Sequence, residues 1–343
     1  MPHARLFSVL LLALGSGFAA AQPLMEEEDL ALAYGDQNFV SIATGTRQPL
    51  SKAPSTATVI TAEQIASMGA QTVSQALESV PGLHVSRNNL QNNYALTYGM
   101  RGILTGTSPH VLMMVNGIPR TSIYLGNPDE QMVELPVDNI ARIEVIRGPG
   151  SAVYGADAFA GTVNIITKTA DDIDGTSFAG GTGSFASWDA RLLHGSRHGK
   201  LDVAAYLRVG ATDGQQRTIR RDAVGRSGSV NVGHEDVDGQ LDVGYGNLRW
   251  RTSYTLRNDV GTGAGIAAAL DPVGRVRSER IASDLSWSDA NFARDLSLTL
   301  QAAFMHLANE VIRPLSVFPP GTSFVGIGGS AFPSGMLGTP DKW

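Results

Sequence analysis

From about Gly175 onward the chain alternates apolar and polar residues at period two, and this confines its second half to β-strands with two unlike faces. Leu201, Val203, Ala205, Leu207 and Val209 alternate with Asp202, Ala204, Tyr206 and Arg208. Leu241, Val243 and Tyr245 alternate with Asp242 and Gly244. After a turn at Gly246-Asn247, Leu248, Trp250, Thr252, Tyr254 and Leu256 alternate with Arg249, Arg251, Ser253, Thr255 and Arg257. Ile281, Ser283, Leu285 and Trp287 lead through an expected turn at Asp289-Ala290-Asn291 into Leu296, Leu298, Leu300, Ala302 and Phe304. The pattern predicts roughly seven strands. A soluble sandwich would also alternate, but its strands average about five or six residues, whereas several of these reach about ten, the length of a tilted membrane strand. Arginine at 249, 251 and 257 on one face does not suit a protein core. Short turns alternate with long polar connections at 213–228 and 259–277, as in a transmembrane barrel with tight turns at one end and long loops at the other.

The start of the chain accounts for how such a barrel would leave the cytoplasm. His3 and Arg5 precede the apolar run Leu6 to Leu14, and Ala19, Ala20 and Ala21 come before Gln22, so residues 1–21 read as a secretory signal peptide. The run is broken by Gly15, Ser16 and Gly17 and falls short of the roughly twenty apolar residues of a spanning helix. An exported chain that crosses a membrane by strands belongs in the outer membrane of a Gram-negative cell. With no cysteine, a net charge of -6 and 17% charged residues, it offers neither a disulfide framework nor a basic face for nucleic acid.

Residues 22–55 form a flexible leader, acidic at Glu26 to Asp29 and broken by Pro49 and Pro54. Within it, Phe39-Val40-Ser41-Ile42-Ala43 is an apolar island able to pair as an added strand with a partner's sheet edge. Residues 56–170 read as a small α+β domain. Thr56 to Ile60 is strand-like; Thr61 and Gln64 form a capping-box pattern for a short helix ending at Gly69. Thr72 and Gln75 repeat the pattern for a second helix before Pro81-Gly82. His110 to Val115 runs into Asn116-Gly117, the strongest short hairpin signal, and Ile140 to Ile146 and Thr162 to Lys168 are strand-like. Arg142, Glu144 and Arg147 alternate with Ile143, Val145 and Ile146, which is expected to put the charges on one strand face.

Residues 58–168 resemble the plug domain of TonB-dependent receptors. The likeness rests on Val59 to Ile65, Leu77 to Leu83, Met100-Arg101-Gly102, Val115 to Pro119, Ile140 to Gly155 and Gly161 to Lys168, in the family's order and approximate spacing. The resemblance implies a plug inside an antiparallel transmembrane barrel of about 22 strands, of which residues 171–343 would supply about seven. It implies TonB-dependent active transport, most simply of a ferric siderophore, with cobalamin, haem or an oligosaccharide as alternatives. The implied partners are the TonB energy-transducing complex in the periplasm, the outer-membrane lipid and a small metal-chelate ligand.

By position, the resemblance makes Phe39, Val40, Ser41, Ile42 and Ala43 the TonB box, although Ser41 departs from the family's usual run of valines. It assigns Arg101, Arg142, Glu144 and Arg147 to contacts with the barrel wall, and gives Gly148, Gly150, Gly155 and Gly161 close approaches to that wall. Ligand contacts are expected from two apical loops, 86–98 with Arg87, Asn88, Tyr94 and Tyr98, and 120–131 with Arg120 and Tyr124.

No catalytic constellation, cofactor motif or metal set stands out. His234-Glu235 lacks a second histidine, and His194 and His198 are expected to flank a hairpin turn. A transducer would need a larger N-terminal domain than residues 22–37, and a plain structural barrel would not carry the plug motifs. Roughly seven strands cannot close around a plug, and lipid does not tolerate an open sheet edge. The chain ending at Trp343 is therefore expected to be incomplete: a truncated gene product, a fragment of a longer sequence or one part of a split gene, without function alone.

Overall fold

The computed structural model describes residues 39–40, 48–49, 56–87, 96–105, 108–121, 128, 135–215, 217–263, 269–294, 296–320, 322–323, 331–332 and 334–338. The expected signal peptide and residues 41–43, Asn88, Tyr94 and Tyr124 lie outside them.

The first unit opens with β1 (Phe39–Val40) paired antiparallel to β2 (Gln48–Pro49). There follow β3 (Thr56–Thr61), α1 (Ala62–Met68), α2 (Val73–Leu77), β4 (Leu83–Arg87), β5 (Leu96–Met100), β6 (Val111–Val115), β7 (Ile118–Pro119), β8 (Ile140–Arg147), α3 (Ser151–Tyr154) and β9 (Gly161–Thr167). A five-stranded mixed sheet runs β3-β8-β9-β6-β7, with only β6 and β9 parallel. The capping box at α1 forms as its sequence predicts: Gln64 N donates to Thr61 Oγ1, and Thr61 N donates to Gln64 Oε1. Gly69 ends the helix at φ 67°. At α2 the repeated signature works differently. Gln75 Oε1 accepts from Gln71 N at 2.7 Å, and Thr72 Oγ1 bonds Ser74 Oγ, so Thr72 makes no side-chain cap. Asn116 and Gly117 both take positive φ, as a two-residue β6–β7 turn requires.

One sheet face carries Ile143, Val145, Val163 and Ile165 beneath Ile65, Val73 and Leu77 of the helices. The other carries Ile146, Leu112 and Met114 against the buried Val40 and Ala158. This corrects the expected division of β8. Period two places Ile146 on the face of Arg142 and Glu144, and Arg147 on the opposite one.

After the short helix α4 (Ala170–Ile173) the chain enters the second unit: β10 (Gly175–Thr182), β11 (Trp188–His198), β12 (Leu201–Thr212), β13 (Thr218–Ile219), β14 (Gly228–Ser229), β15 (His234–Tyr245), β16 (Leu248–Gly261), β17 (Arg275–Ala293) and β18 (Leu296–Arg313). Four short strands follow, β19 (Leu315–Phe318), β20 (Thr322–Ser323), β21 (Ala331–Phe332) and β22 (Met336–Gly338). Seven strands, β10-β11-β12-β15-β16-β17-β18, form one antiparallel sheet in chain order. Six of them run from 11 to 19 residues, and β10 has 8. Tight turns at Gly199-Lys200, Gly246-Asn247 and Arg294 join strands at one end, and the connections 213–233 and 262–274 lie at the other. No helix among the described residues is long and apolar enough to cross a membrane.

β17 does not turn at Asp289-Ala290-Asn291. Asn291 N donates to Asp289 Oδ1, a local turn, but the strand absorbs it as a bulge between Asp289 and Ala293 and reverses at Arg294. His194 and His198 both lie on β11 instead of flanking a turn, and His194 bonds Thr176 across to β10.

Candidate functional site at the inner face of the sheet

Alternation divides the large sheet into an outer and an inner face. Phe178, Leu207, Trp250, Leu285, Leu300 and Phe304 are exposed on the outer one, a lipid-facing set by chemistry and position. The inner face carries a ladder of ion pairs. Asp238 takes a two-pronged bond from Arg257, with Nη1 to Oδ2 at 3.1 Å and Nη2 to Oδ1 at 3.0 Å. Asp242 pairs with Arg249 at 2.7 Å, Asp284 with Arg251 at 2.7 Å, and Asp236 with Arg208. The arginines that did not suit a core are thus matched by carboxylates on neighbouring strands. The signal was present in the sequence as Asp236, Asp238 and Asp242 at alternate positions on one side of the Gly246 turn and Arg249, Arg251 and Arg257 on the other.

The small domain rests on this inner face. Arg191 of β11 pairs with Asp138 at 2.7 Å. Gln240 of β15 accepts from Asn139 Nδ2 at 3.0 Å and donates to Thr167 Oγ1 at 2.7 Å, and Thr167 in turn bonds the hairpin residue Asn116. Near α4, Arg197 joins Asp171 at 2.7 Å and Asp202 at 2.6 Å. Sequence reasoning had not singled out Asp138, Asn139, Thr167, Arg191 or Gln240, because a partner on another element leaves no trace in local pattern.

The residues expected to touch the wall also have partners within the small domain. Arg142 Nε donates to Glu144 at 3.0 Å, and the Glu144 carboxylate is fully buried. Arg147 donates to Pro81 O and to Thr58 Oγ1, and Arg101 to Thr56 Oγ1. A methyl group on Gly161 would overlap Met100 Sδ and meet Ile146 O, so its close approach is to the domain's own core. On Gly150 it would meet Thr162 Oγ1 at 2.9 Å.

The expected ligand residues divide in the same way. Tyr98, on β5, is only 1% exposed and belongs to the main core, not to a loop. Arg87 ends β4, paired in register with Leu96 of β5. Arg120 is buried between the small domain and the sheet: its backbone N–H donates to Met113 O, and Nη1 approaches Met305 Sδ at 3.8 Å. Burial lowers its pKa to about 10 while Asp284 opposes the shift, so it is charged at neutral pH. Of the expected partner-binding island, Phe39 and Val40 form β1, and Val40 is fully buried against the second core cluster.

Residues 49–162 match the model of the TonB-dependent receptor plug domain family. The chain is 34% identical over 157 residues to the vitamin B12 transporter BtuB of Vibrio vulnificus, covering 45% of this chain and 25% of that protein. To BtuB of Photobacterium profundum it is 32% identical over 170 residues, covering 48% and 27%. The chain thus spans about a quarter of the length of the curated relatives it matches. Among solved structures it is similar in fold to the siderophore receptor PiuA of Acinetobacter baumannii, with a TM-score of 0.57 and 16% identity over 78% of this chain and 38% of that one.

Proposed function

We infer, from a chain that belongs to the TonB-dependent receptors and comprises their plug domain with part of the barrel, that the complete protein imports a scarce metal chelate across the Gram-negative outer membrane. The observation that carries this reading is a folded plug bonded through Gln240 and Arg191 to the polar inner face of a lipid-facing sheet. A plug held by hydrogen bonds and ion pairs blocks passive leakage yet releases without breaking a continuous apolar core. The outer membrane holds no nucleotide supply, so work must be delivered from the periplasm through a partner protein. Residues 39–43 are the segment proposed to engage that partner, TonB, by strand pairing. Val40 is packed on the plug, so capture by TonB would begin by peeling β1 from β2.

A ferric siderophore is the cargo first proposed, bound by the segments 86–98 and 120–131. The second reading is a corrinoid, favoured by the vitamin B12 transporters among the sequence relatives. Both are bulky chelated metals that general porins exclude. The test is accumulation of labelled ferric siderophore and labelled cyanocobalamin by cells producing the complete gene product, with and without residues 38–44. Deletion should abolish accumulation and leave surface binding of the cargo intact. Accumulation that persists after deletion would rule out TonB coupling through this segment. Cobalamin uptake without iron uptake would select the second reading.

A further inference from the structure

Asparagine followed by glycine occurs once in the chain, at Asn116-Gly117, where it forms the two-residue turn between β6 and β7. Glycine has no side chain to shield its amide nitrogen, so in this pair that nitrogen is well placed to attack the asparagine amide carbon. Gly117 is exposed and Asn116 half-buried, so water reaches the turn. Both reacting groups are nevertheless held in place. Asn116 Nδ2 donates to Thr167 Oγ1 at 2.9 Å, and Asn116 Oδ1 accepts from Thr167 N at 3.1 Å. The nucleophile itself, Gly117 N, donates to Asn164 Oδ1 at 2.9 Å. Asn164 and Thr167 lie on β9, each less than a tenth exposed, and Thr167 Oγ1 also accepts from Gln240 Nε2 of the wall at 2.7 Å. The turn as such needs only positive φ, which Asn116 and Gly117 supply at 51° and 79°; the bonds to β9 are additional.

We propose that Asn116 is a spontaneous deamidation site, kept intact by Asn164 and Thr167 of β9 and opened to modification when the hairpin leaves them. In the reaction a bond forms from Gly117 N to Asn116 Cγ, the Cγ–Nδ2 bond breaks, and ammonia leaves with the proton of Gly117 N. Water then opens the cyclic imide at either carbonyl, giving aspartate or isoaspartate. Aspartate keeps the oxygen that accepts from Thr167 N but loses the Nδ2 donor. Isoaspartate adds a carbon to the main chain of a two-residue turn, which the pairing of Val115 with Ile118 does not accommodate. Either product weakens the hold of β9 on the hairpin, at the residue through which the plug reaches Gln240 of the wall. The site stands on the plug's own geometry and does not depend on which cargo is transported, or on transport at all.

The test is incubation of the complete receptor in detergent at mildly alkaline pH, with the peptide that contains residue 116 followed by mass spectrometry. The folded receptor is expected to deamidate at Asn116 at least about tenfold more slowly than the same protein in urea, the factor for two or more hydrogen bonds. Asn164→Ala frees Gly117 N, and Thr167→Val frees Asn116 Nδ2 with little change of shape. Each should raise the folded-state rate about fivefold, the factor for one hydrogen bond. Circular dichroism checks that both variants are folded; if either is not, the wild-type rates with and without urea decide alone. Equal rates with and without urea, no deamidation of Asn116 in urea, or unchanged rates in both folded variants would overturn the proposal.

Discussion

Glu144 shows how a charge becomes permissible inside a small domain. Its carboxylate is fully buried on β8, and Arg142, two residues earlier on the same face, donates to it at 3.0 Å. Truncating Arg142 removes this charge-assisted bond from a buried carboxylate. Arg142→Ala is therefore expected to destabilise the plug by ~1–3 kcal/mol, read as a lower urea midpoint for plug unfolding in the complete receptor. Gly161 is a second position where one atom decides. Gly161→Ala would drive a methyl into Met100 Sδ and to 2.5 Å from Ile146 O, and should cost ~1–3 kcal/mol, measured as a depressed melting temperature. Both residues were legible as strand positions. Their neighbours were not, because Met100 lies 61 positions before Gly161 in the chain.

At the scale of elements, the features that follow from local chemistry came out as expected: the α1 capping box, the stop at Gly69 and the Asn116-Gly117 hairpin. Where a signal had two local solutions, packing chose between them, as at Thr72 and at Asp289. The outer connections show a further level of order. Asp271 accepts from Thr262 Oγ1, Gly274 N and Ser316 N, and Asp222 accepts from Leu270 N, Arg226 N and Val224 N, so three loops are tied by two carboxylates. Burial opposes ionisation of Asp222, but the three backbone amides outweigh it and hold its pKa below the ordinary carboxylate value. The stability from this tie is thus fully present above the unfolded pKa and is lost as pH falls through the depressed one. Amide exchange at Leu270, Val224 and Arg226 should stay well below its intrinsic rate at neutral pH and approach that rate only in strong acid. Acceleration already at pH 5 would contradict this.

For the whole molecule, the seven-stranded sheet places a greasy surface outward and an ion-pair ladder inward. The charged groups of the ladder remain where they are because each carboxylate has an arginine on a neighbouring strand, so the face is polar without being a net charge reservoir. A charge at Leu207, whose register neighbours on the opposite face are Leu192 and Gly239, would have no such partner. Leu207→Arg, near the middle of β12, is expected to cost ~2–4 kcal/mol in a bilayer, read as a reduced folded fraction in reversible refolding into vesicles. The corresponding inward change, Ser253→Thr, should leave that fraction unaltered. β17 and β18 outrun the alternating core of their sequences because backbone pairing continues where neither face is apolar.

The seven long strands of the sheet, the α1 cap and the Asn116-Gly117 hairpin were determined by the sequence alone, since each depends on residues a few positions apart or on a period of two. The tertiary structure decided the partners. It joined Arg142 to Glu144, Arg147 to Thr58 and Arg101 to Thr56, put Tyr98 in the core, brought Arg120 against the wall and linked plug to sheet through Asp138, Thr167 and Gln240. A polar side chain carries no mark of which distant group will satisfy it. That choice is made only when packing brings two segments together and every buried donor must find its acceptor.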